Sequence, residues 1–94
     1  MPLEFEWDAA KAKKNQKKHG VSFEEASTVF ADPFSFTIDD SLHSDEEDRF
    51  ITMGESKKGR ILAVAFTERG EKLRIISARV VSRNERKQYE EGQK

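Results

Sequence analysis

TERGEKLRIISARVVSRNERKQY, residues Thr67–Tyr89, holds a turn, a strand and a helix start, and the rest of the chain is placed from it. Arg69 and Gly70 sit in the turn, and Leu73–Val80 alternates as the last strand. Ser82, with Glu85 three residues later, sets a capping box that launches a helix of about two to three turns before Gly92. The alternation puts Leu73, Ile75, Ser77 and Arg79 on one strand face and Arg74, Ile76, Ala78 and Val80 on the other. Arginines at Arg69, Arg74, Arg79, Arg83 and Arg86 thread this segment. Their fork-shaped, permanently charged donors suit phosphate oxygens, although Arg is equally at home on a solvated surface.

Upstream, Arg60–Thr67 reads as an apolar central strand, joined through a Ser56–Gly59 hairpin turn to a strand over Phe50–Gly54. Phe34, Phe36 and Ile38 alternate with polar residues as a further strand, followed by an acidic loop from Asp40 to Asp48. Two helices precede it. Asp8 caps the first, which Gly20 stops, and Ser22 with Glu25 forms a capping box for the second, with Val21 stapling against Ala26. Asp32 and Pro33 end that helix. LEFEW, residues 3–7, is a short edge strand. The order β, α, α, β, β, β, β, α predicts an α+β fold: a short N-terminal strand, two helices, a mostly antiparallel four-stranded meander and a C-terminal helix.

Ninety-four residues suit one small domain over residues 1–94. The formal net charge of -1 conceals a partition along the chain. Residues 11–19 carry Lys11, Lys13, Lys14, Lys17, Lys18 and His19 with no acid, whereas residues 32–48 carry acids and no Lys or Arg. Lys11, Lys14 and Lys18 share a helix face. Local fields attract a polyanion, so a near-neutral total is compatible with a basic surface for RNA or DNA. The absence of cysteine removes disulfide and zinc-thiolate chemistry and fits a reducing cytoplasm. No signal-peptide pattern and no bilayer-length apolar run is present, so a cytoplasmic protein without membrane contact is expected.

FEWD near the N-terminus, NQKKHGVSFEEASTVFADP, HSDEEDR, GRILAVAFTERG and RIISARVVSRNERKQYEEG occur in this order over nearly the whole chain. Together they resemble the BrnT family of toxins from bacterial type II toxin–antitoxin systems. The resemblance implies a RelE-like fold and a metal-independent endoribonuclease that blocks translation. It also implies neutralisation by a BrnA-type antitoxin whose ribbon-helix-helix portion binds operator DNA, in an assembly of two toxin and two antitoxin chains. No cofactor is implied.

In such a ribonuclease the ribose 2′-hydroxyl attacks the neighbouring phosphorus. The protein then removes one proton, delivers another and neutralises the phosphate. Arg69 and Arg79 are the candidates for the phosphate, with a surface salt bridge to Glu68 or Glu71 as the plain alternative. His19 is the candidate proton carrier, although a helix C-terminus also favours His. Glu24 or Glu25 offers a base partner, although its capping role already explains Glu25. One phosphodiester requires Arg69, Arg79 and His19 to lie within roughly 12 Å of one another. Lys14 and Lys18 attract the RNA backbone, Arg83 and Arg86 line its rim or meet a partner, and Tyr89 either stacks on a base or packs the last helix. The acidic block lacks the spacing and turn glycine of a calcium loop, so a solvated loop is expected there and no metal site. Within the family pattern His43, Ser44, Glu47, Asp48 and Arg49 are read as structural or substrate-rim residues. A non-catalytic RNA- or protein-binding module of the same fold is the alternative function.

Overall fold

The computed structural model describes residues 3–40 and 48–92. Its order is β1 (Glu4–Glu6), α1 (Ala9–His19), α2 (Phe23–Thr28), a 3-10 turn (Val29–Ala31), β2 (Phe36–Asp39), β3 (Arg49–Glu55), β4 (Ile61–Arg69), β5 (Lys72–Val80) and α3 (Arg83–Glu91). The strands form one sheet in the order β1-β5-β4-β3-β2. β1 runs parallel to β5 and the other neighbours are antiparallel. The expected α+β arrangement is thus present. Most of the acidic loop, including His43, Ser44 and Glu47, lies outside the described residues. Among the described residues no helix is long and apolar enough to cross a membrane.

Local chemistry sets the boundaries. The Asp8 side chain accepts from the Lys11 N–H at the start of α1, and Gly20 ends it in the left-handed region at φ 69°. A residue bearing a Cβ is disfavoured there. At α2, Ser22 accepts from the Glu25 N–H, but the Glu25 side chain does not close the capping box. Instead it is buried, takes the Arg60 Nε at 2.9 Å and accepts from the Ser56 hydroxyl at 2.7 Å. Arg60 also donates to the Gly20 carbonyl at 3.0 Å. The ion pair with Arg60 holds the Glu25 carboxyl below its ordinary range, so this acid is a strut between the Ser56 turn and the helices.

The sheet register separates two faces. Leu62, Val64 and Phe66 of β4, with Ala78 and Ile75 of β5, face α1, α2 and the 3-10 turn, where Val21, Phe23, Ala26 and Val29 complete the core. Phe30 and Phe5 extend it through ring contacts with Phe66 and with each other. Gly54 sits where the 3-10 turn presses on β3: a Cβ there would lie 2.9 Å from both Val29 Cγ1 and Ser35 Cβ. Overpacking of this kind costs about 1–3 kcal/mol. Gly54→Ala should therefore lower the unfolding free energy by about 2 kcal/mol in a denaturant titration; an unchanged midpoint would show that the turn moves aside freely.

The opposite face carries Met53 of β3 and Ile61 and Ala63 of β4, all buried although α1 and α2 lie on the other side. α3 returns across this end. Its reciprocal capping box between Ser82 and Glu85 is formed as expected, and buried Tyr89 donates its hydroxyl to Asp32 Oδ2. Burial and the Asp32 carboxylate push the Tyr89 phenol up to about 12. Tyr89 therefore fastens α3 to the segment after the 3-10 turn and is not exposed for stacking on a base.

One strand departs from simple alternation. Ala65 pairs with Ser77 but Phe66 pairs with Ile75, leaving Ile76 as the extra residue of a β-bulge in β5. The bulge reverses the facing of everything beyond it. Ile75 and Ala78 share the core face, and Arg79 and Ser77 share the opposite face with Arg74. The expected grouping of Arg79 with Leu73 and Ile75, and its separation from Arg74, is corrected accordingly.

Candidate active site

The face opposite α1 and α2 holds a cleft of about 240 Å³ lined by Asp40, Arg49, Ile51, Ala63, Ala65, Ser77 and Arg79. Its depth comes from β4. That strand sets large residues, Leu62, Val64 and Phe66, toward the core and small ones, Ala63 and Ala65, toward the cleft. The taller side chains of β3 and β5, Arg49, Ile51 and Arg79, then form walls around an alanine floor. β2 ends beside it, where the Asp40 N–H donates to the Arg49 carbonyl at 2.8 Å.

Arg79 is held in place from α3. Its Nη1 and Nη2 donate to the two carboxylate oxygens of Glu85 at 2.7 and 2.9 Å. The same carboxylate accepts the Ser82 N–H at 2.8 Å, so the helix cap and the arginine clamp are one group. The Arg79 side chain stays 42% exposed, which leaves its remaining N–H donors open to an anion in the cleft. The Arg79 guanidinium holds the Glu85 carboxyl down at about 2, from an ordinary 4.5. An acid whose folded value is depressed stabilises the fold above its unfolded value, and that stabilisation fades as pH falls toward the folded one. Stability should thus drop between about pH 5 and pH 2, by about 1–2 kcal/mol from this pair once solvent screening of a half-exposed arginine is allowed for. Glu85→Gln should flatten that part of a pH-dependent unfolding curve; an unaltered curve would assign the dependence to other acids.

The sequence model of BrnT, the ribonuclease toxin of type II toxin–antitoxin systems, matches residues 7–85. The chain belongs to the BrnT family. The 1.1 Å crystal structure of the Brucella abortus ribonuclease toxin BrnT is similar in fold, with a TM-score of 0.66 at 25% sequence identity, over 87% of this chain and 100% of that one. No curated protein matches the chain by sequence.

On this BrnT-family fold the residues expected to share a centre are spread out. Arg79 lines the cleft. Arg69 lies six residues along β4 from Ala63, the register partner of Arg79, which is about 20 Å at the rise of a strand. That exceeds the roughly 12 Å that a common phosphodiester allows, and Arg69 is not among the cleft residues. His19, at the end of α1, lines a neighbouring groove with Lys11, Lys14, Asn15, Lys18, Ile76 and Ser77. Ser77 is the wall common to that groove and the cleft. Lys14 and Lys18 thus line the same groove as His19, which adjoins the cleft at Ser77. Arg83 is exposed on the first turn of α3, and Arg86 pairs along the helix with Glu90 at 3.7 Å. Arg74 is tied to Glu6 of β1 at 2.6 Å.

Sequence reasoning missed Asp40 and Ser77 as cleft residues and took Arg49 only as a rim residue of the family pattern. The signal was in LAVAF, residues 62–66, where large and small residues alternate. Small side chains on alternate positions of a central strand leave a trough when both neighbouring strands carry longer ones. The alternative partners expected for Arg79, Glu68 and Glu71, are replaced by Glu85, because the bulge turns Arg79 toward α3. Among the described residues no group of three metal-ligating side chains converges.

Proposed function

We propose that this BrnT-family ribonuclease toxin cuts RNA in the Arg49–Arg79 cleft by a metal-independent endonucleolytic step. The observation that carries the reading is the pair of guanidinium side chains walling an alanine-floored cleft, with the Asp40 carboxylate beside them. The 2′-hydroxyl gives its proton to a base, its oxygen bonds to phosphorus, and the bond to the 5′-oxygen breaks as that oxygen takes up a proton. Two guanidinium groups offer the charge that the crowded phosphate needs, and Asp40 is the cleft group able to accept a proton. His19 serves the neighbouring sugar-phosphate in this scheme, and Arg69 stands apart from the reacting bond.

The wider reading is one toxin domain over residues 1–94, acting in the cytoplasm and inhibiting translation. A BrnA-type antitoxin with a ribbon-helix-helix portion restrains it in an assembly of two chains of each kind, which reaches operator DNA through the antitoxin. One feature favours the alternative of a non-catalytic binding module: Glu85 already occupies two donors of Arg79. Incubating the purified chain with total RNA in EDTA separates the readings. Continued cleavage is expected; cleavage that requires added divalent metal would overturn metal independence, and intact RNA that is nevertheless bound would support the binding module.

A further inference from the structure

We propose that the RNA strand does not end at the cleft but crosses the edge of β5 at Ser77 and continues along the lysine face of α1. The proposal rests on the cleft reading above and extends it to the substrate's path. β1 pairs with β5 only from Lys72 to Arg74, so beyond Arg74 no strand among the described residues neighbours the β5 edge, and at Ala78 the Asn15 side chain of α1 bonds it instead. The bulge at Ile76 interrupts the ladder at that place. Beside it, Lys11, Lys14, Lys18 and His19 line a groove of about 300 Å³ whose floor includes Ile76 and Ser77. Ser77 also lines the cleft, so the two depressions meet across a single small side chain.

The lysines of this groove contrast with four of the arginines. Arg60, Arg74, Arg79 and Arg86 are each paired with a glutamate. Among the described residues no carboxylate forms an ion pair with Lys14, Lys18 or His19. Helix electrostatics accounts for part of the row only. The last turn, with Lys17, Lys18 and His19, complements the helix dipole. Lys11 follows the Asp8 cap, whose carboxylate its charge favours, but Lys14 stands midway, where the dipole offers nothing to a cation. A row of lysines on one face, with Lys14 and Lys18 in no ion pair among the described residues, matches the repeating charge of a nucleic-acid backbone, and the apolar Ile76 that lines the same groove offers a surface for a base. An acidic segment of a protein partner meets the charge but not the repeat or the direct continuity with the cleft.

The test uses 2′-O-methyl RNA, which lacks the attacking hydroxyl, in three- and ten-nucleotide lengths, with binding followed by fluorescence anisotropy over a salt series. The longer RNA should bind the full chain more tightly. Lys14→Ala/Lys18→Ala should weaken the ten-nucleotide complex about tenfold and reduce its salt slope by roughly 1.4, two single-strand phosphate contacts, while three-nucleotide binding holds. Lys57→Ala/Lys58→Ala, the same charge change at the hairpin turn, should leave the length difference intact. Equal weakening by both double variants would reduce the effect to net charge and overturn the path. So would unchanged ten-nucleotide binding, or a loss confined to antitoxin binding, which would make the groove a protein-docking surface. Failure of the cleft reading is distinguishable: Arg79→Ala would then cleave normally while the lysine variants still lost the longer RNA.

Discussion

Arg79→Ala should slow RNA cleavage about 100-fold under single-turnover conditions, the scale expected when one preorganised donor to a charged transition state is removed. Two structural facts make this position the sensitive one. Arg79 emerges opposite Ala63, whose small side chain leaves the guanidinium free to lean over the cleft. Glu85 fixes its orientation through two hydrogen bonds, so little reorganisation is needed as charge builds on the phosphate. Arg79→Lys keeps the charge but lacks the fork, and should recover only a small part of the rate. Glu85→Gln should cost less than Arg79→Ala, because it loosens the donor without removing it. Thermal melts of all three variants accompany the kinetics, since α3 loses an anchor in each. Wild-type cleavage by a folded Arg79→Ala protein would remove Arg79 from the reaction.

The largest expected loss of stability comes from Asn15→Ala. Its side-chain amide donates to the Ala78 carbonyl at 2.8 Å and to the Val21 carbonyl at 2.9 Å, and it accepts the Ala78 N–H at 3.1 Å. The amide thus meets Ala78 as a neighbouring strand would, on the part of β5 that β1 does not reach. Asn15 is 7% exposed and Ala78 fully buried, so truncation leaves backbone groups without partners inside the protein. Buried orphan groups cost about 1–3 kcal/mol each, giving about 3–4 kcal/mol in all, a large share of a typical folding free energy. In a chain of this size that corresponds to roughly 15–20 °C in melting temperature. Asn15→Asp should be similarly damaging, since it keeps the acceptor but loses both donors and buries a charge. A loss below about 1 kcal/mol would mean that water replaces the amide.

Much of the fold was legible because its boundaries are drawn by local chemistry. Asp8, Ser22 and Ser82 each accept a backbone N–H at a helix start, and Gly20, Gly59 and Gly70 take positive φ at a helix end and two turns. Features created by pairing distant segments were not. The bulge at Ile76 exists only because β5 must match β4, and nothing within RIISARV marks it, so the faces of Arg74 and Arg79 were misassigned. Glu25 looked fully accounted for as a cap, yet its partner Arg60 stands 35 residues away. Glu85 was explained by its cap and concealed its second bond to Arg79. The family motifs indicated the reaction class, but the separation of Arg69 from Arg79 is a matter of strand register.

The parallel pairing of Glu4–Glu6 with Lys72–Arg74 also ties the cleft strands to the other end of the described chain. Glu6 and Arg74 are 68 residues apart, and Asn15 and Ala78 are 63. Contacts of such long range close late, because the entropy of bringing the ends together must be met before any of them is rewarded. The cleft itself needs β3, β4 and β5 side by side, and β5, laddered to β4 on one edge, takes the N-terminal strand and Asn15 on the other. Without β5 the cleft lacks the wall that Ser77 and Arg79 supply. The cleft is thus a product of the whole sheet and of none of its hairpins alone.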